Sequence, residues 1–264
     1  MDILHPTDFS AASGRALWFA RYLRQATGGG LTLLHAVEPR YGGAARLTSA
    51  EDEALFECAE TAWVEALRER LAQLDPEARP LLEVGKPIPA ILRHAAHHDL
   101  LVMGTHGEDS LADRLLGTTT ERVIAQTEKP VAVVPPAGET QALTRLLVAT
   151  ALAGPSERGL ELAYTLAQAT GADITVLHVA PSSDQPTLER LNRLIEGFPA
   201  LLEEGRLEAK LLSTDEPPDV ALLGFAEQIG ADALFVGRSG VNRLFGSVTR
   251  ALLNRSSVPV WVHP

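Results

Sequence analysis

Short apolar runs alternate along the whole chain with longer stretches in which apolar residues recur every three or four positions. Residues 3–5 read as a strand, and 13–25 as a helix closed by Gly28, Gly29 and Gly30, where glycine takes the left-handed geometry of a helix end. Residues 31–37 form a second strand. Over 51–74 the positions Leu55, Ala59, Ala62, Trp63, Ala66, Leu67, Leu71 and Leu74 make one apolar stripe, which predicts a long acidic helix laid on a sheet. A strand at 81–84, a helix at 89–98, a strand at 100–103, a helix at 118–126 and a strand at 131–134 complete this half. The remainder retraces the order: strand 146–149, a helix to 170, strand 174–179, a helix around 188–194, strand 207–212, helix 220–229, strand 234–236, a helix from 248 and strand 258–262. Strands alternating with helices predict a parallel sheet covered by helices on right-handed crossovers. In such open sheets a ligand sits outside the carboxyl ends of the strands, so the loops after Leu4, Val37 and Met103 are the places to search.

The chain repeats itself. Leu31-Thr-Leu-Leu-His35 recurs as Ile174-Thr-Val-Leu-His178, Leu101-Val-Met-Gly104 as Leu234-Phe-Val-Gly237, and Pro130-Val-Ala-Val-Val-Pro135 as Pro259-Val-Trp-Val-His-Pro264. The boundary falls near 138–142, giving expected domains at 1–138 and 143–264. A length of 264 residues fits two modest domains, and 45% apolar residues supply a core for each, which excludes disorder.

Charge and cysteine narrow the function classes. The formal charge of −11 argues against nucleic acid and anionic membrane as partners. No apolar run approaches the roughly 20 residues of a membrane-spanning helix. The opening Met1-Asp2-Ile3-Leu4 lacks the basic region of a secretory leader, so the expected location is the cytoplasm. Cys58 is the single cysteine, leaving no disulfide framework and no Cys-based zinc site.

Candidate chemistry concentrates after the fourth strand. Gly104-Thr-His-Gly107 is followed by nine residues and then Gly117-Thr118-Thr119 at a helix start. Gly104 and Gly107 would let backbone approach an anion, and the helix start offers unpaired amides and a favourable dipole. The competing reading is plain turn and cap glycines. Neither a P-loop lysine nor GxGxxG is present.

With these features together, the first half resembles the universal stress protein family along its length. The G-x2-G-x9-G-[S/T] spacing of that family's nucleotide-binding members is met by Gly104, Gly107, Gly117 and Thr118. Ile3-Leu4-His5-Pro6-Thr7-Asp8-Phe9-Ser10 is similar to its first strand and loop, and Gly85-Lys86-Pro87 and Asp99-Leu-Leu-Val-Met-Gly104 to its third and fourth strand regions. The resemblance implies two tandem open-sheet α/β domains of the Rossmann-like, adenine nucleotide alpha hydrolase-like kind, with five parallel strands each. It implies ATP with Mg2+, Pro6, Thr7 and Asp8 against the adenosine, Val37 on the base, Met103 and Gly104 near the ribose, and His106, Gly107, Gly117, Thr118 and Thr119 around the phosphates. With an overall charge of −11, such a site would rely on backbone amides, helix dipole and metal. For Asp8 the alternative is a helix cap or Asx turn, and for Val37 an ordinary core position.

The second half departs from this pattern. Ala151 stands where Asp8 would be, and five residues separate Gly240 from Gly246 where the pattern has nine. One nucleotide per chain is therefore expected, in the first domain. Members of the family pair through their terminal strands, which implies a pseudo-dimer through 131–134 and 258–262, or a homodimer by the same strands. Arg238, Arg243, Arg250 and Arg255 are read as a solvated basic face, with a small anion site as the alternative. His94 and His98 have an i, i+4 metal spacing but read as surface residues, and the equivalent His35 and His178 as structural ones. The expected function is a stress-response regulator. An ATP-hydrolysing or autophosphorylating enzyme using Thr118 or Thr119 and a nucleotide-free adaptor are the alternatives; no catalytic residue is assigned.

Overall fold

The computed structural model describes residues 1–38, 50–105, 116–136, 142–152, 156–238 and 246–264, with side chains from 61 and from 158 in the second and fifth helices. Cys58, His106, Gly107, Gly240 and Arg243 lie outside the residues or side chains so described.

The first half runs β1 (Ile3–Pro6), α1 (Ala11–Thr27), β2 (Leu31–Val37), α2 (Ala50–Leu74), β3 (Arg79–Val84), α3 (Pro87–Ala95), β4 (Leu100–Gly104), α4 (Thr118–Gln126) and β5 (Val131–Val134). The second runs β6 (Arg145–Ala149), α5 (Ser156–Thr170), β7 (Asp173–Ala180), α6 (Gln185–Glu196), α7 (Pro199–Glu203), β8 (Leu207–Ser213), α8 (Pro218–Ile229), β9 (Ala233–Gly237), α9 (Ser247–Arg255) and β10 (Val260–His263). Local chemistry sets the ends. Gly28 closes α1 at φ 65°, which a residue with a Cβ adopts only at a cost, and its N–H returns to the Arg24 carbonyl. Proline in the first turn starts α3 two residues earlier than the apolar pattern predicts, and the helix stops at Ala95 because His97 and His98 close i−3 turns. α7 has five residues, too few to show a period.

The strand order is β3-β2-β1-β4-β5-β10-β9-β6-β7-β8, one ten-stranded sheet. Every neighbouring pair within a half is parallel, and β5 and β10 join antiparallel, with Val133 opposite Val260, Ala132 opposite Trp261 and Val131 opposite Val262. The order reads the same from either edge when each strand is replaced by its repeat. Ala132 and Trp261 are themselves repeat equivalents, so this pair lies on the local dyad.

Helices cover both faces over two apolar layers, each continuous across the join. One contains Phe19, Leu23, Leu33, Leu71, Phe235 and Trp261, the other Leu4, Ile91, Val123, Leu234 and Leu252. Trp261 is fully buried between Phe235 of its own half (5.2 Å, stacked) and Phe19 of the other (6.1 Å, edge-on). The predicted stripe on α2 packs only in part. Among the described side chains Leu71 is buried but Ala62 and Ala66 are exposed, with α2 packed on the edge strand β3.

Candidate functional site

β1 lies between β2 and β4, so the loops after all three open at one end of the sheet, at the point where the strand order reverses. The chain leaves β1 through a tight turn. Phe9 sits at φ 64°, an uncommon conformation for a large side chain, and the Thr7 hydroxyl accepts from the Phe9 N–H at 3.0 Å. The same hydroxyl is 2.9 Å from the Ser13 hydroxyl, so buried Thr7 spends its side chain inside the fold. Asp8 is exposed at the mouth, and its Oδ1 accepts from the Ser10 N–H at 3.0 Å in an Asx turn. Ser10, not Asp8, caps α1, accepting from the Ser13 N–H at 3.2 Å.

The Phe9 ring packs on His35 (4.5 Å) with the Arg70 guanidinium 4.2 Å above it. His35 Nδ1 meets the Thr7 carbonyl at 2.7 Å, and His178 Nδ1 meets the Thr150 carbonyl at 2.8 Å, one structural device used twice. Val37 and Met103 are buried where β2 and β4 end, and the Val37 carbonyl accepts from Gly85. Gly104 is needed for packing: a Cβ there would stand 2.9 Å from the Ala12 carbonyl oxygen, which fixes β4 against the first turn of α1.

α4 brings the last group of residues to this end. The Gly117 N–H donates to the Thr105 carbonyl at 2.6 Å, and the Thr120 hydroxyl to the Gly104 carbonyl at 2.9 Å. Gly117 provides no side-chain cap. Among the described residues no acceptor is assigned to the amides of Thr118, Thr119 and Thr120, the orphan donors of a helix start. Thr118 is exposed and Thr119 half-buried beside them. The structure thus assembles Pro6, Thr7, Asp8, Val37, Met103, Gly104, Gly117, Thr118 and Thr119 around one end of the sheet; His106 and Gly107 are outside the described residues. Phe9, Ser10, Ser13, Thr105 and Thr120 escaped the sequence reading. The recurrence of Thr120 as Thr249, which bonds the Gly237 carbonyl at 3.0 Å, was the available signal.

Of the basic side chains expected to form a solvated face, Arg250 and Arg255 are exposed, Arg238 is turned into the join, and Arg243 lies outside the described residues. Arg238 donates to the Ile124 and Thr127 carbonyls at 2.9 and 2.7 Å, and Arg250 pairs with Glu121 at 2.6 Å, all across the join. Arg255 pairs with Asp219 at 2.9 Å. His98 uses both ring nitrogens, on the His94 carbonyl and the Thr32 hydroxyl, while His94 pairs with Glu83, so the two do not converge on a metal. A cavity of about 450 Å³ lies between α8, α9 and the amino end of β9, away from the carboxyl ends of the strands.

This is a tandem open-sheet α/β protein whose first half gathers a carboxylate, close-packed glycine backbone and an uncapped helix start at the switch point. The universal stress protein family model matches residues 1–135 and again 143–264, and the chain belongs to that family. A universal stress protein of Methanocaldococcus jannaschii is 29% identical over 150 residues, covering 50% of this chain and 93% of that one. One of Mycobacterium tuberculosis is 27% identical over 200 residues, 67% of this chain and 62% of the relative. The crystal structure of a universal stress protein from Archaeoglobus fulgidus superposes with a TM-score of 0.75 at 25% identity, over 99% of this chain and 97% of that one.

Proposed function

We propose that this protein is a stress-response regulator that binds one adenine nucleotide, ATP with Mg2+, at the ends of β1, β2 and β4 in its first half. The second half holds none and forms an intrachain pseudo-dimer with the first. The observation that carries this reading is the pairing of exposed Asp8 with the orphan amides of Thr118 to Thr120 at one sheet end, set against Ala151 in the equivalent turn. Asp8 would accept from the ribose hydroxyls, the buried ends Val37 and Met103 would flank the base and sugar, and the start of α4 would face the phosphates.

Mg2+ fits as a companion of the phosphates. Among the described residues no group of three or more His, Cys, Asp or Glu could hold a cation, so phosphate oxygens and water would supply most of the ligands, with Thr118 or Thr119 able to add a hydroxyl. When bound, the ion would offset the charge of the polyphosphate. Among the described residues no helix is long and apolar enough to cross a membrane.

Calorimetry of the full chain with ATP and Mg2+ tests the reading. One equivalent per chain is expected, lost in Asp8→Ala and in Gly107→Val. Two equivalents, or none, would overturn it.

A further inference from the structure

The segment that opens α4 is held from two directions. The Gly117 N–H is fixed by Thr105 at the end of β4, within the first half. The preceding N–H, that of Leu116, donates at 2.9 Å to Asn254 Oδ1, which lies 138 residues later on α9. Two successive amides are therefore pinned just before the three orphan amides of Thr118, Thr119 and Thr120. The second half also grips α4 further along, through Arg250 on Glu121 and through Arg238 on the Ile124 and Thr127 carbonyls, where a cation suits the negative end of the helix dipole.

This support runs one way. α4 and α9 are repeats, aligned by Gly117 with Gly246 and by Thr120 with Thr249, which places Ala125 at the position of Asn254. Alanine has no acceptor with which to return the bond. The pair Glu121 and Arg250 are likewise each other's repeat equivalents, unlike in charge where the two halves meet.

We propose that the second half is a working part of the first half's phosphate site: Asn254 is a positioning residue that sets the orientation of the α4 amides, with Arg250 and Arg238 holding the helix behind it. This rests on the nucleotide reading given above. A donor set held in place before binding pays less ordering cost when the anion arrives, so the effect falls on the phosphate part of the ligand alone. It also gives the non-binding half a role in affinity without any contact with nucleotide.

The test compares ATP with adenosine, both by calorimetry on the full chain, and follows exchange of the Leu116 amide in ligand-free protein. In Asn254→Ala the ATP affinity is expected to fall about fivefold to tenfold, the worth of one hydrogen bond, with adenosine affinity unchanged and the Leu116 amide exchanging faster. Asn254→Asp, which keeps an oxygen acceptor, restores slow exchange at Leu116. Arg250→Ala gives the same phosphate-only loss at about twofold to threefold. Unchanged ATP affinity in Asn254→Ala, or equal losses for ATP and adenosine in both variants, would overturn the proposal. A wild-type chain that binds neither ligand would instead overturn the reading of the site.

Discussion

The turn after β1 and the turn after β6 are the same structure carrying different chemistry. Thr7 and Thr150 each accept from the amide two residues on, at 3.0 Å, and Phe9 and Leu152 take positive φ angles of 64° and 53°. His35 and His178 brace the two turns identically. Between those matched positions stands Asp8 in one half and Ala151 in the other. A left-handed residue at an open strand end thus belongs to the fold here, and the carboxylate is one of the two differences, with the length of the later glycine loop, that set the halves apart. The join teaches the complementary lesson. Residues that are repeat equivalents meet there as unlike partners, Trp261 against Ala132 and Arg250 against Glu121. Size and charge are complementary only when a first half meets a second half.

The strongest way to break this asymmetry is at the dyad. Trp261→Ala empties the fully buried space between Phe19 and Phe235, and is expected to cost about 3–5 kcal/mol in chemical unfolding. A loss below about 1 kcal/mol would mean that the join contributes little.

Next come the two buried histidines, each at a position where the other half has valine: His5 against Val148 and His263 against Val134. Burial lowers His5 to about 4, against a partial return from its bond to the Val102 carbonyl. Burial also lowers His263 to about 4, helped by Arg158 and partly opposed by the Pro264 backbone, and among the described residues no side-chain partner is assigned to its ring nitrogens. Both are neutral when folded and protonate near 6.5 when unfolded. Their contribution is therefore intact above pH 6.5 and lost as pH falls from there to about 4, up to roughly 3 kcal/mol for each. His5→Val and His263→Val should each flatten that part of the curve of unfolding free energy against pH. An unchanged slope would show that the burial is not what holds these rings neutral.

Smaller effects follow at the site and the seam. Asp8→Ala removes the carboxylate acceptor and is expected to weaken ATP by about a hundredfold, enough to lose the equivalent in calorimetry, whereas Ala151→Asp should create no second site, because the shorter loop after β9 remains. A second equivalent in Ala151→Asp would show that the carboxylate alone separates the halves. Last, Arg250→Glu sets two acids together across the seam and should lower stability by about 1 kcal/mol, with the double exchange Glu121→Arg and Arg250→Glu recovering most of it in thermal unfolding.

Much of this was legible in the sequence because it is encoded by near neighbours. Strands 31–37 and 131–134 and helix 118–126 have the bounds that their apolar pattern predicts. β10 begins at Val260, not at 258, because the Ser256 hydroxyl holds the Val258 amide in a turn. The loops that carry Asp8 and Gly117 were found by spacing and resemblance, while the internal duties of Thr7 and Gly104 were not, since they depend on Ser13 and Ala12 in three dimensions. Arg238 was misread for the same reason. A basic residue past a strand end looks solvated until the element opposite is known, and Arg238 is held by the last carbonyls of α4 in the other half, whereas Arg250 stays exposed beside Glu121.

By itself, the sequence determined the alternation of strands and helices, the internal repeat and the loss of Asp8's counterpart at Ala151, because each is written in residues a few positions apart or in a direct match of one half to the other. Only the tertiary structure decided that Trp261 lies opposite Ala132, that Arg250 meets Glu121 and that Asn254 reaches the Leu116 amide. Those pairs are separated by more than a hundred residues. No local propensity specifies them; they exist because two parallel half-sheets can bury their last strands against each other in a single register.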